Sequence, residues 1–155
     1  MQQSAPISRL GEERQAITLL LELLKQEQQQ LIAAQIDQLG ETTAQKALQI
    51  AQMTRLAGAR HQALAAAGFA ASEAGMAAWI GAASDAAGAA LWQEVLRLTR
   101  AAKECNRLNG MLINKHMVYT RSALNFLRPP ALGGNIYGAN GYATTGRANR
   151  RFVLG

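Results

Sequence analysis

Few residues in this chain have the types and spacing that catalysis needs. The two histidines, His61 and His116, lie far apart and fall on different predicted helices. There is no HExxH run, no GxSxG elbow and no pair of carboxylates at useful spacing. Cys105 is the single cysteine. It falls on an apolar helical stripe, where a packed thiol is expected, whereas a nucleophilic thiolate needs an exposed, electropositive setting. One thiol also excludes an internal disulfide, a CxxC redox pair and a thiolate zinc knuckle. The Gly-rich run GGNIYGANG lacks GxGxxG and follows a helix stop rather than a strand, so it is a poor phosphate loop. The expectation is a protein without enzymatic activity, cofactor or metal.

What remains is binding chemistry. Asn106, Asn109 and Gly110 interrupt an otherwise apolar helical stretch. Two readings stay open for them: a polar device that fixes helix register, or contacts to a partner. Gly110 in mid-helix costs about 1 kcal/mol against Ala, so something should require it, for instance close approach of another backbone. Leu112 is expected in the core. Ile113 and Met117 lie off the main apolar seam, so they are expected at the surface, as a docking site for an amphipathic helix.

The elements that position these residues are helical. Ala and Gln, both good helix formers, dominate the composition, and Pro occurs only at Pro6, Pro129 and Pro130. A first helix over about 8–35 is expected, capped by Ser8, with Glu12 and Glu13 near its positive dipole end. Its seam reads Leu10, Ile17, Leu21, Leu24, Gln28 and Leu31, broadened by Leu20 and Leu23. Asp37 reads as a break and new N-cap. A second helix over 38–66 lines one side with Leu39, Thr43, Ala47, Ile50, Met53, Ala57 and Leu64; it is expected to fold back as a hairpin, with a continuous kinked helix as the other option.

Residues 65–90 form an island of Ala and Gly whose uncharged stretch between Glu73 and Asp85 is too short to span a bilayer. Within it, residues 67–84 read as a connector with one helical turn, capped by Ser72 and centred on Met76, Trp79 and Ile80. The third helix, 85–128, is capped by Ser84 or Asp85 and stops before Pro129-Pro130. Its seam is Leu91, Val95, Leu98, Ala102, Cys105, Asn109, Leu112, His116, Tyr119, Ala123 and Phe126. The fold class is therefore all-α: long antiparallel helices in a hairpin or three-helix coiled-coil-like bundle. It forms one domain over 1–128, followed by a flexible Gly/Asn/Arg-rich tail over 129–155.

The net charge of +6 is unevenly placed. Residues 1–120 are nearly neutral, while Arg121, Arg128, Arg147, Arg150 and Arg151 follow with no acid among them. A globally basic nucleic-acid binder would carry its charge on the folded part, so no nucleic acid is expected. The chain's start, MQQSAPISRLGEER, has no signal-peptide pattern, and no apolar run reaches bilayer length.

Several of these residues together resemble the FlgN family of flagellar type III export chaperones. The carrying features are the Leu-rich stretch at 20–27, Asp37, Lys46, Arg60 and Trp79. The most specific are Asn106-x-x-Asn109-Gly110-x-Leu112-Ile113, then Ala123-Leu124, then Tyr137-Gly138-x-x-Gly141. The resemblance implies a cytoplasmic chaperone that binds C-terminal helical segments of the hook-filament junction proteins and delivers them to the export gate. It implies substrate binding at Asn106, Asn109, Gly110, Leu112, Ile113, Met117 and Leu124. It also implies docking to the cytosolic domain of the export-gate membrane protein through Tyr137, Gly138 and Gly141. It leaves room for a homodimer when no substrate is bound. The alternative is a structural coiled-coil module that self-associates without export substrates.

Overall fold

The computed structural model describes residues 5–128, so the tail from Pro129 onward lies outside the described residues. Four helices follow in order: α1 (Leu10–Ile32), α2 (Ile36–Ala66), α3 (Glu73–Ala83) and α4 (Ala86–Leu127). The described residues contain no strand. By internal contacts the chain forms two units, residues 1–118 and 119–155; of the second, only 119–128 are described, which include the end of α4.

In the first unit α1 and α2 run antiparallel, since Glu13 pairs with Arg60 and Glu27 with Lys46. α4 runs parallel to α1. Asn109 reaches the Leu24 carbonyl and, further along both helices, His116 reaches that of Leu31. Two apolar clusters form the core. One joins Leu10, Leu64, Met76, Ile80, Trp92 and Val95, drawn from all four helices. The other joins Ile17, Leu20 and Leu24 of α1 to Leu98, Ala102 and Cys105 of α4, with Met53 of α2 packed against it. The all-α class and the three long helices are as expected.

Helix ends depart from the sequence reading in instructive ways. Ser8 does not cap α1: Arg9 holds that position, with no side-chain cap, and a turn bond from Ser8 N to the Ala5 carbonyl precedes it. Asp37 does not cap α2 but lies in its first turn. The reversal is made by Ala33–Gln35. Ala34 takes a left-handed φ of 54°, the Gln35 amide donates to the Gln30 carbonyl and the Ala34 amide to that of Leu31. This is the Schellman closure of a helix end, met here without the usual glycine. Ser72 does cap α3, accepting from the Gly75 amide, and Asp85 caps α4, accepting from that of Gly88. α3 is a full helix rather than a single turn, and it buries Met76 and Ile80 while Trp79 is half-buried. Gly75 is required there, because any Cβ would collide with the Ala70 carbonyl.

The seams shift as well. α1 buries Glu13, Leu20 and Glu27, while Leu21 and Gln28 lie at its margin. α2 buries Thr42, Leu56, Arg60 and Leu64, and leaves Thr43, Ala47 and Ile50 exposed. The α4 seam is realised from Val95 to Asn109, with Leu112 and His116 half-buried. It ends there because α1 stops at Ile32, directly after the carbonyl that His116 meets. Tyr119, Ala123 and Phe126, in the second unit, are exposed. No helix among the described residues is long and apolar enough to cross a membrane.

Candidate partner-binding site

Two buried carboxylates on α1 hold the three long helices together. Glu27 is 2% exposed. Its Oε1 accepts from Lys46 Nζ of α2 at 2.7 Å, and its Oε2 accepts from Asn109 Nδ2 of α4 at 2.8 Å. Asn109 Nδ2 also donates to the Leu24 carbonyl at 2.8 Å. Glu13 accepts from Arg60 Nε on both oxygens, at 3.0 and 3.2 Å. The Arg60 guanidinium lies 4.7 Å from the centre of the Trp92 ring on α4, a cation–π contact inside the protein. Each node therefore touches α1, α2 and α4.

This geometry separates the sequence-predicted residues into two groups. Asn109 is 1% exposed and faces α1, so its amide fixes α4 against α1. Leu112 is half-buried on the same side. Asn106, Gly110, Ile113 and Met117 are exposed. They follow one another at spacings of four, three and four residues, so they share one face of α4 beside the buried seam. Ile113 is 42% and Met117 49% exposed, more than a satisfied core residue would be. Nothing within 4 Å would meet a Cβ at Gly110. The close backbone approach expected there is not made by the described residues of this chain. Leu124, in the second unit, is exposed. Tyr137, Gly138 and Gly141 lie outside the described residues.

The stripe continues one turn back into Lys103 and then Thr99, which with Asn106 border an apolar slot of about 270 Å³. The slot's other walls are Ile17, Leu20 and Leu24 of α1 and Ile50 and Met53 of α2. Its cause is visible in α2, which supplies few apolar contacts before Leu56 and is held there by Lys46 and by a long Gln26–Thr42 contact of 3.5 Å. Cys105 is in the core, where burial pushes its thiol above the usual range and leaves little thiolate for reaction. Glu104, held below the usual carboxylate range by its hydrogen bonds to Arg107, is a solvated ion pair.

Sequence reasoning missed the buried roles of Glu13 and Glu27. Their signal was present but shared with any solvated charge: each acid lies on the apolar side of α1, and each basic partner lies on α2. A directed test follows from the Glu13–Arg60 node. Glu13→Ala strands a buried guanidinium and should cost about 3–5 kcal/mol in chemical denaturation. The paired change Glu13→Leu with Arg60→Met removes both charges and should recover most of that loss.

A family model described as FlgN protein matches residues 1–145. No curated protein and no solved structure gives a significant match. The matched stretch contains both buried nodes, the exposed face of α4 and the Tyr137-Gly138-x-x-Gly141 run, and on that extent the chain belongs to the FlgN family of flagellar export chaperones.

Proposed function

We propose that this chain is a cytoplasmic escort for the hook-filament junction proteins. It binds their C-terminal helical segments along α4, keeps them unassembled and delivers them to the flagellar export gate. The observation that carries the reading is the exposed stripe of Asn106, Gly110, Ile113 and Met117, set beside a seam that is buried at Ala102, Cys105 and Asn109 and half-buried at Leu112 and His116. Leu124 is a further contact on the second unit. Asn109 and Leu112 act one step back, by holding α4 against α1.

The chemistry suits a transient complex. An amphipathic helix laid on the stripe removes Ile113 and Met117 from water, worth about 25 cal/mol per Å² of apolar surface before ordering costs. Met adapts its shape to different partners, which suits an escort with two clients. Gly110 lets a partner backbone approach more closely than any side chain would, and this accounts for a glycine that its own fold does not need. The Asn106 amide offers a donor and an acceptor at the rim, which sets register. Delivery rests on Tyr137 as an aromatic anchor, with Gly138 and Gly141 allowing a turn around it.

Three substitutions test this. Ile113→Asp should abolish co-purification with the C-terminal segments of the two junction proteins while circular dichroism stays unchanged; undiminished capture would remove the stripe from the account. Gly110→Ala should raise the chain's own stability by about 1 kcal/mol, as helix propensity dictates, and yet weaken the complex. If stability and binding rise together, the glycine has no docking role. Tyr137→Ala should leave substrate binding intact and weaken pull-down by the cytosolic domain of the export-gate protein; equal pull-down would contradict the docking assignment. If no junction protein binds and the chain instead self-associates through Ile113, the structural coiled-coil reading takes its place.

A further inference from the structure

The charge around the α4 stripe narrows what its occupant must look like. Glu104 is the last carboxylate side chain in the sequence. From Cys105 to the end of the first unit the chain carries Arg107 and Lys115 and no Asp or Glu. Within the first unit, Lys103 sits on the stripe itself, one turn before Asn106, where it borders the apolar slot. Arg100 and Arg107 are exposed on the same part of the helix. Glu104 and Arg107 neutralise each other, since both Glu104 oxygens accept from Arg107, at 2.9 Å from Nε and 2.7 Å from Nη2, so Arg100 and Lys103 set the sign of this part of the helix. The other acid within α4, Glu94, is likewise paired, with Arg97, and Glu13 and Glu27 of α1 are paired inside the protein. The docking stripe is thus apolar at Ile113 and Met117 and basic toward its start, where Arg100 and Lys103 are exposed.

We propose that the segment docking on α4 is an amphipathic helix whose apolar stripe is bordered by carboxylates. This rests on the partner-binding reading of α4 and adds the charge class of its client. A helix with basic borders would bring like charges together as both surfaces lose water, a cost that grows in the low-dielectric contact. An acid-bordered helix gains attraction during approach, and its carboxylates meet Arg100 and Lys103 at the rim. The attraction gives discrimination between clients, while the apolar stripe gives the contact itself.

The test uses two designed peptides of equal length with the same apolar residues at i, i+3, i+4 and i+7. One carries Glu and the other Lys at the bordering positions. Each is titrated into the full chain and followed by fluorescence anisotropy. At low salt the Glu peptide should bind about tenfold tighter or more, and the gap should shrink by roughly 0.5 M salt as screening removes the long-range part. Arg100→Glu with Lys103→Glu should narrow the gap, and Ile113→Asp should remove binding of both peptides. Equal affinity, or preference for the Lys peptide, overturns the charge assignment while loss on Ile113→Asp still upholds α4 as the docking face. Binding of neither peptide, with anionic lipid vesicles binding in an Ile113-dependent way, overturns both.

Discussion

The fold depends on two carboxylates that α1 takes out of water. Glu13 and Glu27 are fourteen residues apart, and so are their partners Arg60 and Lys46 on α2. Only one antiparallel alignment satisfies both pairs. A slip of one helical turn between α1 and α2 would strand four charged groups at once, at a cost far above what a shifted apolar contact incurs. Leu and Ala seams tolerate sliding, because each turn resembles the next; charges at fixed spacing do not. Buried ion pairs add little net stability compared with apolar residues of the same shape, and their value here lies in register.

The same two nodes place α4. Arg60 stacks on Trp92 near the start of α4, and Glu27 accepts from Asn109 further along it. Held at these points, α4 buries Val95, Leu98, Ala102, Cys105 and Asn109 against its neighbours. The adjacent face, with Asn106, Gly110, Ile113 and Met117, is thereby turned to solvent. α2 contributes by what it lacks. Its first half makes chiefly polar contacts, so it leaves Ile50 and Met53 at the wall of an open slot instead of closing over the stripe. A face held in this way is rigid while still exposed, which would lower the ordering cost of the docking proposed for it.

Much of this architecture was legible in the sequence, and the failures share one cause. The α4 seam from Val95 to His116 followed from its heptad spacing, and Ser72 and Asp85 were readable caps because their side chains do the capping. Ile113 and Met117 were legible as surface residues because they fall off that seam. The start of α1 and the α1–α2 turn were misread because Ser8 and Asp37 have the right chemistry in the wrong place. The turn is closed by backbone bonds around Ala34, which leave no side-chain signature. Gln28 stood in place of Glu27 in the expected seam because hydropathy alone penalises a buried acid, while Leu20, expected only to broaden that seam, is part of the core. Lys46 and Arg60 stood out by family resemblance, but their role needed the third dimension. Asn109 had two open readings, and its hydrogen bonds to Leu24 and Glu27 place it against α1.

The docking proposed for α4 is tested most directly by finding which surface a bound helix touches. A photo-crosslinking residue placed at Ile113 on α4, and separately at Leu48 on the outer side of α2, would report this in the intact complex with a junction-protein C-terminal segment. Both positions are exposed, Leu48 the more so at 70%, so access alone favours α2. The account predicts an adduct from position 113 and none from position 48. An adduct from position 48 with none from 113 would contradict it, and would move the client from α4 to the α1–α2 hairpin.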